Sequence, residues 1–202
     1  AALENLTLPD RAVDIGMNAF YGTALLENES LKEDGLLYLG KCLITADDGV
    51  SGAVTVRAGT LSLAAGAFSN RNDLTAVALP EGLRYIGTSA FSGCKTLTAV
   101  DVPQSVTRLG AGAFLACPAL ESITLPAGVK DIGSRTFMNC TALSSADLRG
   151  VTAVGEEAFA GSGITSLTLP DGAVTIGTSA FKNCAALTTV TLPDSLITIG
   201  SN

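Results

Sequence analysis

The side chains able to act as ligands or nucleophiles are few and unusually regular. Cys94, Cys117, Cys140 and Cys184 each stand three residues after a Phe. Thiolates are nucleophiles and soft metal ligands, so a recurring Cys invites a zinc reading. A zinc site, however, needs ligands converging on one point. One Cys per repeat makes a column instead, interrupted by Ser162. Disulfides along such a column are disfavoured as well. Stacked parallel Cβ positions stay about 5 Å apart, against the roughly 3.8 Å that a disulfide prefers. The thiols are expected to be free and buried. Cys42 lies outside the series and has no evident partner.

Histidine is absent from the chain. That removes Ser-His-Asp and Cys-His catalysis, and every usual zinc ligand set except all-Cys. Paired carboxylates occur at Asp47-Asp48 and Glu156-Glu157. Adjacent residues need not face one site, and both pairs fit solvated turns. Asp47-Asp48-Gly49 is too short for a calcium loop. No phosphate-binding glycine loop or dinucleotide fingerprint is present. Glycosylation triplets occur at Asn5, Asn28 and Asn139, and Asn139 is better explained as a turn residue. No catalytic residue, cofactor or metal site is expected, so the chain does not read as an enzyme.

The net charge of −7 points away from phosphate backbones, because 12 Lys and Arg scattered among 202 residues form no basic patch. Nucleic acid is not an expected partner, and neither is an anionic membrane surface. No run is long and apolar enough to insert in a membrane.

The elements that hold these side chains are set by a repeat. Leu79-Pro80, Val102-Pro103 and Leu125-Pro126 recur at a step of 23 residues, and Pro170 and Pro193 continue the series. All seven Phe residues (Phe20, Phe68, Phe91, Phe114, Phe137, Phe159 and Phe181) occupy one place in it. Gly stands four residues before the Phe in six of the seven repeats, with Ala64 the exception. In Leu97-x-x-Val100-x-Val102, alternation sends Val100 inward and Ala99 and Asp101 outward. Pro103 then ends the strand, because it has no N–H for a parallel ladder. Gly110 marks a corner without a side chain. Thr88–Gly93 is expected to form one helical turn capped by Thr88, with Gly93 in the left-handed conformation that ends it. A single coil cannot bury its own apolar edge, so coils must stack with the Phe residues as a spine.

The fold expected is therefore an α/β right-handed solenoid of parallel strands and short helical turns, in about eight coils at roughly 4.8 Å per coil. It forms one domain over residues 1–202. The register breaks between Phe20 and Phe68. Residues 26–52 read as a β-hairpin insertion, either packed on the solenoid flank or carrying variable function. The coil from Arg149 to Pro170 is two residues short, so a kink is expected there. The last coil is incomplete at Asn202, and either the natural chain continues or this end pairs with another copy.

Motifs such as Leu192-Pro193-Asp194-Ser195-Leu196-x-x-Ile199-Gly200 and Ala90-Phe91-Ser92-Gly93-Cys94 resemble the BspA-like leucine-rich repeats. Leu36–Ile44 is similar to an insertion common in that family. The resemblance implies a secreted or cell-surface bacterial protein, with a signal peptide removed before Ala1. It also implies adhesion to host matrix or other cells through a protein–protein surface, with a structural spacer as the alternative role. The residues expected to offer such a surface are Tyr38, Lys41, Asp47 and Asp48 on the insertion, and Asp101, Thr124, Asp147, Thr168 and Thr191 on the outward side of the strands.

Overall fold

The structure, a computed structural model, describes Leu3 and residues 5–201; Asn202, where the last coil is expected to stop, lies outside them. The first strands are β1 (Lys32–Glu33), β2 (Leu36–Leu39), β3 (Cys42–Ala46) and β4 (Gly52–Thr55). They are followed by β5 (Ser62–Leu63), β6 (Leu74–Ala78), β7 (Tyr85–Ile86) and β8 (Ala99–Asp101). From β4 onward a longer strand, a bend that carries Pro except at Arg57 and Arg149, and a two-residue strand alternate to the C-terminus. The result is a parallel β-solenoid of about seven turns.

Two sides of the coil carry ladders. On one side, β3, β5, β7 and Arg108–Leu109 pair in parallel, and Asp131–Ile132, Ala153–Val154, Thr175–Ile176 and Thr198–Ile199 form a second such ladder. On the concave side, β4, β6 and β8 form one sheet. Ser122–Thr124 pairs with Ser145–Asp147, and Ser166–Thr168 pairs with Thr189–Thr191. The expected alternation holds where burial is complete: Val100, Ile123 and Leu167 are buried, between exposed neighbours on the same strands.

The third side differs from expectation. Thr88–Gly93 forms consecutive turns, not a helix, and among the described residues the only helical segments are 3-10 turns at Ala24–Glu27 and Glu29–Leu31. The reason lies in the backbone. The residues two before and two after each Phe both have positive φ, as at Ser89 (53°) and Gly93 (76°), and Arg135 (60°) and Asn139 (61°). A left-handed residue every fourth position is incompatible with a continuing right-handed helix. It permits tight i→i+3 turns, such as Ala90 N–H to Gly87 O and Cys94 N–H to Phe91 O. It also turns the remaining amides toward the next coil, where Phe91 N–H meets Ala113 O and Gly93 N–H meets Leu115 O, both at 2.8 Å. This side is a ladder of turns.

Six Phe rings stack along the axis, from Phe68 to Phe181, with centroids 5.2–5.8 Å apart. The first three pairs lie within 6° of parallel. The rings around Phe159 tilt by 23° and 19°, which is the disturbance expected of the short coil. Phe20 does not join the column. It packs at the margin of a separate apolar cluster with Ile15, Leu25, Leu37, Leu39, Cys42 and Ile44.

The insertion also departs from a flank decoration. Its hairpin, β2 antiparallel to β3, is an integral end of the ladder, since β3 pairs in parallel with β5. Both faces of the hairpin are buried. Leu36, Tyr38 and Leu43 enter the main core, and Leu37, Leu39 and Ile44 enter the second cluster beneath the N-terminal segment.

Candidate functional site

The concave strip and the Cys column are the two surfaces where repetition brings like groups together. In the column, each thiol has a structural task. The Sγ atoms of Cys94, Cys117, Cys140 and Cys184 donate to the carbonyl oxygens of Phe68, Phe91, Phe114 and Phe159, at 3.0–3.1 Å. Each bond joins one coil to the coil before it. Burial raises the Cys94 thiol from its usual 9.0 to about 11 and Cys140 to about 12, and raises Cys117 further still. A thiolate is the reactive form, so these three are held in their unreactive state. Cys184 sits near the end of the stack and is partly exposed. Cys42 accepts a hydrogen bond from the buried Ser62 hydroxyl at 3.0 Å.

The paired acids do not converge. Asp47 meets Lys32 Nζ at 3.0 Å, and Asp48 meets Arg71 at 2.9 Å on a different element. Glu157 pairs with Arg135 at 2.6 Å, while Glu156 faces solvent. Among the described residues no group of His, Cys, Asp and Glu is arranged to hold a metal ion.

Of the residues expected on a partner surface, the insertion set is largely engaged within the chain. Tyr38, expected at the surface, is instead only 3% exposed. Its hydroxyl accepts the Arg57 backbone N–H at 3.1 Å, and the Arg57 guanidinium lies 4.1 Å from the ring centroid. Leu36–Leu39 is a continuous apolar run, and both faces of the strand are buried. Lys41 pairs with Asp10 at 2.7 Å and keeps an exposed flank.

The concave set is brought together in pairs. The sheet is interrupted between β8 and Ser122–Thr124, and again between Ser145–Asp147 and Ser166–Thr168. A shallow groove lies over each interruption. Asp101, Gln104 and Thr124 line the first, of about 260 Å³. Asp147, Arg149 and Thr168 line the second, of about 430 Å³. Arg149 stands where other repeats carry Pro, and its guanidinium holds the Asp147 carboxyl below the usual carboxylate range. Thr191 lies directly beside Thr168 on the next strand. These grooves could not be read from alternation alone, which gives the face of a strand but not where neighbouring strands part.

The pattern can now be placed among known proteins. A profile described as BspA type leucine rich repeat region matches in six copies, over residues 1–43, 61–171 and 152–202. The chain belongs to the BspA type leucine rich repeat family. No curated protein matches it. Among solved structures, this BspA type chain is similar to a leucine rich cell surface protein of Faecalibacterium prausnitzii, at 26% identity and a TM-score of 0.67. The similarity covers 82% of this chain and 52% of that one, so the chain spans about half the length of that relative. A leucine-rich repeat protein of Bacteroides ovatus matches at 19% identity and a TM-score of 0.58, over 84% of this chain and 64% of that one. The T. pallidum leucine rich repeat protein matches at 22% identity and 0.58, over 86% and 85%. The last two establish the fold alone.

Proposed function

We propose that this chain is a protein-binding module of a bacterial cell surface or secreted protein, one that adheres to host extracellular matrix or to another cell surface. The observation that carries the reading is membership of the BspA type family, together with similarity to a cell surface protein of F. prausnitzii. The concave strip supports it. Asp101, Thr124, Asp147, Thr168 and Thr191 run along one side of the stack, and two grooves cross that side. The basic residues support a protein partner over a polyanion, since seven of the twelve (Lys32, Lys41, Arg57, Arg71, Arg108, Arg135 and Arg149) are paired with a carboxylate. No helix among the described residues is long and apolar enough to cross a membrane.

The test is binding of the full chain to immobilised fibronectin and fibrinogen at physiological salt, measured by surface plasmon resonance. Thr124→Arg and Thr168→Arg fill the two grooves without touching the core. Saturable binding that weakens in the double variant is the expected result. Removing residues 26–52 is not a usable control, because it deletes β2 and β3 from the core. A spacer is the second reading. It is favoured by the outward residues Ala99, Ser122, Ser145 and Ser166, which are too small to act as aromatic or Arg anchors. Lack of binding to any matrix protein moves the assignment to that reading.

A further inference from the structure

The two sheets at the N-terminal end of the stack are finished differently. The ladder side is closed by β2 and β1, which continue antiparallel from β3. On the concave side, among the described residues, β4 pairs only with β6 and has no strand on its other edge. Gly52 N–H and Val56 N–H point to β6, bonding Asp73 O at 2.8 Å and Ala78 O at 2.9 Å. Backbone groups alternate along a strand, so those of Ala53, Thr55 and Arg57 point to the open edge. The Arg57 N–H is taken by the Tyr38 hydroxyl. Ala53 and Thr55 have no such partner among the described residues, and both are exposed. Natural proteins usually protect such an edge with Pro, Lys, a bulge or a covering element. Gly52-Ala53-Val54-Thr55 carries neither of those two residues, and the register shift in its pairing lies at Gly52/Ala53, ahead of the open positions.

A groove of about 650 Å³ runs along this edge, within the size range of built ligand sites. Val54 supplies apolar surface with Leu36 and Val50 buried behind it, and Asp34 supplies acidic surface beside Asp47, which already meets Lys32. Asp34 is exposed and has no ion-pair partner among the described residues. A second copy pairing edge to edge would place these acids against their own equivalents, in a chain of net charge −7. Charge therefore favours a basic partner.

We infer that the β4 edge is a strand-addition site, which takes an extended segment of a protein partner carrying Lys or Arg beside a small apolar residue. The added strand receives hydrogen bonds from the Ala53 and Thr55 amides and gives its own to their carbonyls, as in peptide recognition by β-augmentation. Side chains on one face of the added segment enter the groove, with an aliphatic group over Val54 and a cation beside Asp34. The inference rests on the protein-binding reading and locates one site for it outside the concave grooves.

The experiment titrates the full chain with a fluorescent Lys-Val-Lys-Val-Lys-Val peptide and with the corresponding Glu-Val repeat. Thr55→Pro removes the outward N–H without touching the ladder to β6, and Ala53→Lys guards the edge in a second way. Their thermal midpoints are expected to match the parent. Saturable binding of the basic peptide is expected, falling about tenfold or more in either variant through loss of an edge hydrogen bond or added repulsion. Amide exchange at Ala53 and Thr55 is expected to slow when the peptide is bound. No saturable binding, equal binding of the acidic peptide, or unchanged binding in both variants overturns the site. Concentration-dependent dimerisation abolished by Thr55→Pro gives the edge to a second copy and also overturns it. Fibronectin or fibrinogen binding without saturable binding of the basic peptide leaves the wider reading standing without this site. Peptide binding with no matrix binding does the reverse.

Discussion

The column from Phe68 to Phe181 and the N-terminal unit built around Phe20 are made from the same repeat, yet they are held by different means. In the column, each coil is positioned by ring stacking, by the turn-side ladder and by a thiol bonded to the previous Phe carbonyl. In the N-terminal unit, Phe20 meets no other ring, and order comes from burying both faces of a hairpin. Stacked coils bond backbone to backbone along the turn side, whereas the N-terminal repeat meets the next copy at Ala65 N–H to Ile15 O, 2.8 Å, and packs its Phe on the hairpin cluster instead of on another ring. Identical motif residues therefore carry different weight in the two regions.

The comparison is most exposed to test at the aromatic positions. Phe114→Ala empties a fully buried site in the middle of the column and is expected to cost about 3–5 kcal/mol, read from urea unfolding. Phe20→Ala, at a half-buried site, is expected to cost clearly less; equal losses would show that the two regions are not distinct. Leu37→Ala, in the hairpin, is expected to cost about 2–5 kcal/mol. Its loss should appear in hydrogen exchange as faster opening of β2 and β3, with the column amides little changed.

Glycine provides a matched pair. A Cβ on Gly110 would lie 2.3 Å from the Thr88 backbone nitrogen, so Gly110→Ala must displace a neighbouring coil. The expected cost is about 1–3 kcal/mol, by analogy with overpacking a core. A Cβ on Gly16, at the same repeat position, meets nothing within 4 Å. Gly16→Ala is expected to leave the thermal midpoint unchanged, and a large drop would mean that the N-terminal repeat stacks more tightly than the structure shows.

The smallest expected effect is on pH dependence. Folding raises the Cys94 and Cys140 thiols above their usual 9.0, to about 11 and about 12, so the protonated thiol belongs to the folded state. Their contribution is fully present below pH 9 and is lost as pH rises through the folded values. Thermal midpoints measured from pH 8 to 12 should fall less steeply in Cys140→Ala than in the parent. An unchanged slope would remove the thiols from the account.

Much of the fold was legible because a repeat reports the same constraint many times. The Pro positions, the inward Val100, the free thiols and the disturbance at the short coil were all readable from spacing. The turn side was not. Gly and Asn two residues after Phe signalled a left-handed residue there, but Ser89, Arg135, Glu157 and Ser179 gave no such signal two residues before it. Those four adopt positive φ because the coil-to-coil hydrogen bonds require it. The candidate surface was less legible still. Tyr38 looked available because its place in an insertion suggested a surface, although the continuous apolar run Leu36–Leu39 is covered on both faces, and Asp47 and Asp48 looked free because their partners, Lys32 and Arg71, are distant in sequence.

The amino-acid order determined the repeat length, the inward and outward residues of each concave strand, and the family, because these depend on periodicity along the chain. Tertiary structure decided which Phe residues stack, where the concave sheet parts into grooves, and which strand edge stays open. Those outcomes depend on what occupies the neighbouring coil. A hairpin that closes β3 but leaves the outer edge of β4 open is a fact about packing between segments, and no local pattern in either segment carries it.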